Sequence, residues 1–106
     1  MTARPKGPTA KRRQNKAQAK RRAYSIICRI VDARDGLCCR ICTRFCDVAE
    51  HHHIVYRSRG GKDVPSNIVR VCSWCHAAIH DKRVLVTGTA DNLNIQWKRE
   101  VVRVAS

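Results

Sequence analysis

The sequence predicts a small α+β domain held together by metal, with a helix ahead of it and a β-hairpin behind it. Three observations carry that expectation. Two Cys-x-x-Cys pairs, Cys39/Cys42 and Cys72/Cys75, have 29 residues between them and frame a run of histidines. Upstream, Tyr24, Ile27, Ile30 and Val31 recur at helical spacing. Downstream, RVLVTGTADNLNIQWKREVVRV alternates β-formers around a turn-rich GTADN.

A chain of 106 residues is one domain at most, and only Tyr24, Phe45, Tyr56, Trp74 and Trp97 are aromatic. Domains this small rarely bury enough apolar surface to offset chain entropy and usually carry a staple. Seven cysteines supply it. The leading MTARPKGPTAKRR lacks an apolar signal region and no run reaches membrane-spanning length, so a cytoplasmic, intracellular protein is expected. Thiols stay reduced there, and paired Cys-x-x-Cys elements then read as zinc ligands rather than disulfides. The formal charge is +14. Residues 1–22 hold nine Lys or Arg and no acid, and residues 23–106 keep a surplus of five positive charges. Such a balance favours a polyanion, most simply nucleic acid held by its phosphates. Charge alone does not separate that partner from a solubilising tail, and it is silent on catalysis.

In chain order, residues 1–22 read as a basic, largely disordered tail and 23–106 as the domain, with its core motif at 34–80. Pro5, Gly7 and Pro8 keep the first ten residues irregular. Thr9 can cap a helix, and the Ala, Gln, Lys and Arg that follow are good helix formers. A helix is expected from about Ala23 to Arg34, extending backwards when phosphates neutralise the basic segment, with Gly36 ending it. LCCRICTRFC should turn tightly, and VAEHHHIVY should form a short strand. RSRGGKDVPSN is a polar loop punctuated by Gly60-Gly61 and Pro65. Ile68–Val71 is a second strand or a helix entry. Residues 75–82 can be helical, placing His76 and His80 one turn apart on one face. The hairpin strands are expected at 84–87 and 93–98.

Four thiolates from two tight turns suit the tetrahedral preference of structural zinc, with no position left for water. Cys38 and Cys46 compete for that role but lack the x-x spacing, and Cys28 reads as a small buried apolar residue. Cys72-Ser-Trp-Cys75-His76 formally matches a haem-attachment signature. Haem attachment needs export, and it leaves Cys39 and Cys42 unexplained.

Taken in order, ARDGLCCRIC, HHIVYRSRGG and SNIVRVCSWCHAAIH resemble the HNH endonucleases of the four-cysteine zinc type over residues 34–80, and most nearly the small basic HNH proteins of bacteriophages. The resemblance implies a ββα-metal (His-Me finger) fold and hydrolysis of DNA phosphodiester bonds, by nicking or double-strand cleavage. It makes His53 the general base, His52 a ligand of a catalytic divalent cation together with His76 and His80, and Asn67 the residue that orients the base-bearing strand. Histidine's ordinary pKa suits a base near neutrality. Imidazole ligands accept Mn2+, Ni2+ or Zn2+ more readily than Mg2+, which prefers oxygen. Strand alternation puts His52 and His53 on opposite faces, so a twist or bulge is expected to aim both at one phosphate.

Plainer readings stand beside these. His51 lies outside the His-His-Ile register and reads as a bystander, a slipped register would use His51 and His52, His80 can be a surface helix-end residue, and Asn67 can simply cap a turn. Arg57 and Arg59 are candidate phosphate clamps or a solvated loop. Lys11, Arg12, Arg13, Lys20, Arg21 and Arg22 should hold duplex phosphates without reading bases. Low intrinsic sequence specificity follows, with selectivity borrowed from a phage terminase or another DNA-processing complex, and no membrane partner. The competing function classes are a non-catalytic zinc-dependent nucleic-acid-binding module and a structural subunit of a larger machine.

Overall fold

The computed structural model describes residues 10–98. Helix α1 (Ala10–Asp35) is followed by a cysteine-bearing turn, strand β1 (Glu50–His53), strand β2 (Ile68–Val71), helix α2 (Ser73–His80), and the hairpin strands β3 (Val84–Gly88) and β4 (Leu93–Trp97). Two short 3-10 turns, Arg57–Arg59 and Pro65–Asn67, shape the loop between β1 and β2. The fold is α+β as expected, and β1, β2 and α2 succeed one another as a ββα unit. Among the described residues no helix is long and apolar enough to cross a membrane.

Helix α1 begins at Ala10, well ahead of the expected Ala23, so residues 10–22 are helical rather than irregular. The expected cap Thr9 and the Pro- and Gly-containing start lie outside the described residues. Ala, Gln, Lys and Arg each cost little in a helix, and no breaker interrupts them after Pro8. The C-terminal part of α1 docks on the domain and so meets the cost of nucleation, and the exposed part propagates from it. Val31 is the buried residue of α1, and Ile26 and Ile30 stay largely exposed. Gly36 closes the helix at φ +69°, its N–H bonding Asp32 O at 2.8 Å, as the sequence anticipated.

Polar contacts fix the docked end of α1. Arg34 donates to Pro65 O and Ile68 O, both at 2.6 Å. The Asp35 carboxylate, 1% exposed, receives Arg34, Arg40 and the Arg70 backbone N–H. The Arg70 guanidinium, itself buried, bonds Asp32 at 3.1 Å and Cys46 O at 2.5 Å.

Strands β1 and β2 pair antiparallel, with His52 opposite Val69 and His53 opposite Ile68. All of β2 is buried: α1 and β1 pack against it, and Val69 and Val71 join the core cluster. The main cluster gathers Ile41, Ile54, Val69, Val71, Ala78, Ile79, Val84, Val86 and Ala90 around the buried cysteines Cys39 and Cys75. Each fully buried aliphatic side chain contributes roughly 1.5–3 kcal/mol, so this set is small for a free-standing domain. Gly61 shows how tightly the loop is drawn in: a Cβ there would lie 1.8 Å from Val55 O, which no side chain could tolerate.

Candidate active site

Two turns bring the cysteines together. Thr43, in the left-handed region at φ 63°, closes the first turn, with its N–H on Cys39 O at 2.9 Å. Cys72 caps α2, and its sulfur accepts the Cys75 N–H at 3.4 Å. In the same way the Cys39 sulfur accepts from Ile41 and Cys42. The four sulfurs of Cys39, Cys42, Cys72 and Cys75 lie within 4.8 Å of one another, and those of Cys42 and Cys72 are 3.8 Å apart. A tetrahedron of zinc–sulfur bonds of about 2.3 Å has an edge of about 3.8 Å. The cluster therefore fits a metal ion with an all-thiolate donor set, as zinc takes. Burial, with the crowding sulfurs beside it, pushes the Cys75 thiol well above its usual range. Burial acts the same way on Cys39, but the N–H groups aimed at its sulfur outweigh it and bring that thiol to about 7. Cys38 is exposed, pairing through its backbone with Phe45, and Cys46 packs against the core without joining the cluster.

The imidazoles gather on the other side of β1 and α2. His52, 3% exposed, points at the helix, with its ring centroid 5.5 Å from that of His76 and 6.5 Å from that of His80. One helical turn apart, His76 and His80 bring their Nε2 atoms to 3.1 Å. The Glu50 carboxylate meets Nδ1 of His76, which leaves Nε2 facing His80. Burial, with His76 and His80 nearby, lowers His52 to about 4, so its ring is neutral at physiological pH and offers a lone pair. Tyr56 closes the group, edge-on to His52 and stacked on His80 at 6.3 Å. Imidazole nitrogens that face each other this closely suit a shared cation. Among the described residues, though, only the four cysteines already have their ligand atoms drawn to a single point.

His53 alternates to the opposite face, where its Nε2 lies 2.7 Å from Asp63 Oδ1 and its ring stacks on Tyr24 of α1 at 5.9 Å. Of the twist or bulge expected here, the unbroken register of β1 on β2 excludes the bulge. A single cavity of about 310 Å³ nevertheless reaches His51, His52, His53, Tyr56, Arg57, Ser58, His76 and His80 around the end of the strand. Asn67 ties that end down. Its Oδ1 accepts the Val55 N–H at 2.8 Å, its Nδ2 donates to Val55 O and Lys62 O at 3.0 Å, and its own carbonyl accepts the Ile54 N–H. Asn67 therefore does more than cap a turn.

The HNH endonuclease family model matches residues 39–82. Over this segment the chain is similar to the HNH endonucleases. No curated protein and no solved structure shows significant similarity to the chain.

Within the matched segment, His51 turns away from the helix histidines and pairs with Asp32 at 2.7 Å. The Arg57 guanidinium is taken up by Asp63, at 2.9 and 3.3 Å, and sits 4.8 Å over the Tyr24 ring. That engagement leaves it less available as a phosphate clamp than sequence suggested. Arg59 is exposed and, among the described residues, makes no side-chain ion pair. Lys11, Arg12, Arg13, Lys20, Arg21 and Arg22 stand exposed on the first half of α1, remote from the core cluster in sequence. Sequence reasoning did not place Glu50, Asp63, Tyr24 or Tyr56 at the site. Glu50, two residues ahead of His52, and Asp63, two after Gly61, were readable as acids beside a basic cluster. Tyr24 gave no such signal, because its contact with His53 spans α1 and β1.

Proposed function

We propose that the protein is a metal-dependent endonuclease that hydrolyses DNA phosphodiester bonds with low intrinsic sequence specificity. The observation that carries this reading is the opening of His52, His53, His76 and His80 on one cavity, beside a thiolate centre that rigidifies β2 and α2. A purely structural zinc module needs only the cysteines. It has no use for four imidazoles converging on a solvent-accessible space.

His52, His76 and His80 would hold a divalent cation, with Mn2+ or Ni2+ better suited than Mg2+ to nitrogen donors. Such an ion, when bound, supplies a charge that offsets the negative charge gathering on the phosphate and the leaving oxygen. His53 takes a proton from water, and the resulting hydroxide attacks phosphorus in line with the departing 3′-oxygen, leaving a 5′-phosphate and a 3′-hydroxyl. Asn67 fixes the segment that follows His53, so the ring keeps its place while the substrate enters. The cations on α1, with Arg59 at the loop, attract the phosphate backbone. A DNA-processing complex, such as a phage packaging assembly, is the kind of partner that would add selectivity.

A plasmid-nicking assay across Mn2+, Ni2+, Mg2+ and Zn2+ tests the proposal. The parent should convert supercoiled DNA. His53→Ala should lose at least about a hundredfold in rate, the scale of general-base catalysis, while keeping its fold and its DNA affinity. Intact supercoiled DNA with every cation would instead support the non-catalytic binding module.

A further inference from the structure

We propose that Asp63 positions His53, accepting its Nε2–H and leaving Nδ1 as the nitrogen that takes the proton from water. This inference rests on the assignment of His53 as the base. A neutral imidazole has one protonated and one bare nitrogen, and the partner of the first decides which is which. Asp63 Oδ1 lies 2.7 Å from Nε2 of His53, a charge-assisted hydrogen-bond distance.

Arg57 braces the carboxylate, sharing Oδ1 with His53. Arg57 Nε and Nη2 approach its two oxygens at 2.9 and 3.3 Å. Arg57, followed by His53, holds the Asp63 carboxyl below its usual range, so it stays an acceptor. The ring is braced as well, since Tyr24 lies nearly parallel to it, at 14° between planes. Arg57 covers Tyr24 in turn, and burial pushes that hydroxyl up to about 12, so the stacking surface stays neutral. Three chain segments therefore converge on one imidazole: α1, the turn after β1, and the loop beyond Gly61. Its side chain is only 12% exposed, although Asp63 and Arg57 are open to solvent.

An exposed Arg–Asp pair by itself contributes little to stability. What this pair can contribute is orientation. In the step, the O–H bond of water breaks and its proton passes to Nδ1. The hydroxide oxygen bonds to phosphorus as the bond from phosphorus to the 3′-oxygen breaks, and solvent water reprotonates that oxygen. Asp63 stays ionised throughout and faces an imidazolium once the proton has arrived.

The test is 15N NMR of the histidine rings in the full-length, zinc-loaded chain, with His53 identified by its missing signals in His53→Ala, alongside nicking kinetics of Asp63→Asn and Asp63→Glu. In the parent, neutral His53 should carry its proton on Nε2. Asp63→Asn can present an N–H where the carboxylate offered a lone pair, so it should shift the tautomer and lower kcat by at least about 10-fold, as a base histidine held in the wrong tautomer does, with KM unchanged. Asp63→Glu should recover part of the loss. A parent His53 protonated on Nδ1, or Asp63→Asn with the parent's kcat, overturns the proposal. Undiminished cleavage by His53→Ala would instead overturn the base assignment on which it rests.

Discussion

Between α1 and β2, four donors, two from Arg34, one from Arg40 and the Arg70 backbone N–H, converge on the Asp35 carboxylate. Burial on its own would raise this carboxyl, but the donors outweigh it and hold the group below its ordinary 3.8. A depressed carboxylate contributes stability that is complete above its unfolded pKa and is lost as pH falls through the folded value. Urea denaturation should therefore show the parent losing stability below about pH 4, the ordinary carboxylate range, and Asp35→Asn should flatten that part of the profile. At neutral pH Asp35→Ala should cost about 1–3 kcal/mol, because it leaves the partly buried Arg40 and the Arg70 N–H without their acceptor. The pairing was not legible in the sequence. Arg34, Asp35, Arg40 and Arg70 look there like ordinary surface charge, and only the return of β2 beneath the end of α1 makes them partners.

Helix α1 joins two tasks that the sequence separates only partly. The stripe of Tyr24, Ile27, Ile30 and Val31 identified its docking half, and Gly36 its end. Its early start was hidden because the expectation took a cluster of like charges as unfavourable to helix, whereas long Lys and Arg side chains spread their charges into solvent and keep good propensity. If the exposed half grips phosphates, replacing Lys11, Arg12, Arg13, Lys20, Arg21 and Arg22 with Gln should preserve the helix and lower DNA affinity. The slope of log K against log salt should fall by about 0.9 for each phosphate that is no longer neutralised. Filter binding across a salt series, with circular dichroism as the control, reads both. An unchanged slope would move the interface elsewhere. The hairpin strands were legible to within a residue at their ends, since alternation survives wherever one face is buried.

At the scale of the whole molecule, the thiolate centre joins the turn before β1 to the start of α2, and the buried aliphatic set is small. Metal removal by a strong chelator should therefore collapse near- and far-ultraviolet dichroism together, and Cys72→Ser should yield an unfolded chain. A chain that stays folded without its metal would show that the apolar core suffices. This centre was the most legible feature of the sequence, because Cys-x-x-Cys spacing encodes the local turn that presents both sulfurs. The imidazoles were legible as a set. Their division between two faces of β1 followed from strand alternation, but the cavity joining those faces depends on how the loop folds around the strand end. Helix α1 carries a consequence of its own. Its exposed first half, at about 1.5 Å per residue, projects about 20 Å past the docked end, the length of some six base pairs of duplex. Since Tyr24 ties the base of this projection to His53, an enzyme built this way would protect DNA lopsidedly, covering far more of one flank of the cut than of the other.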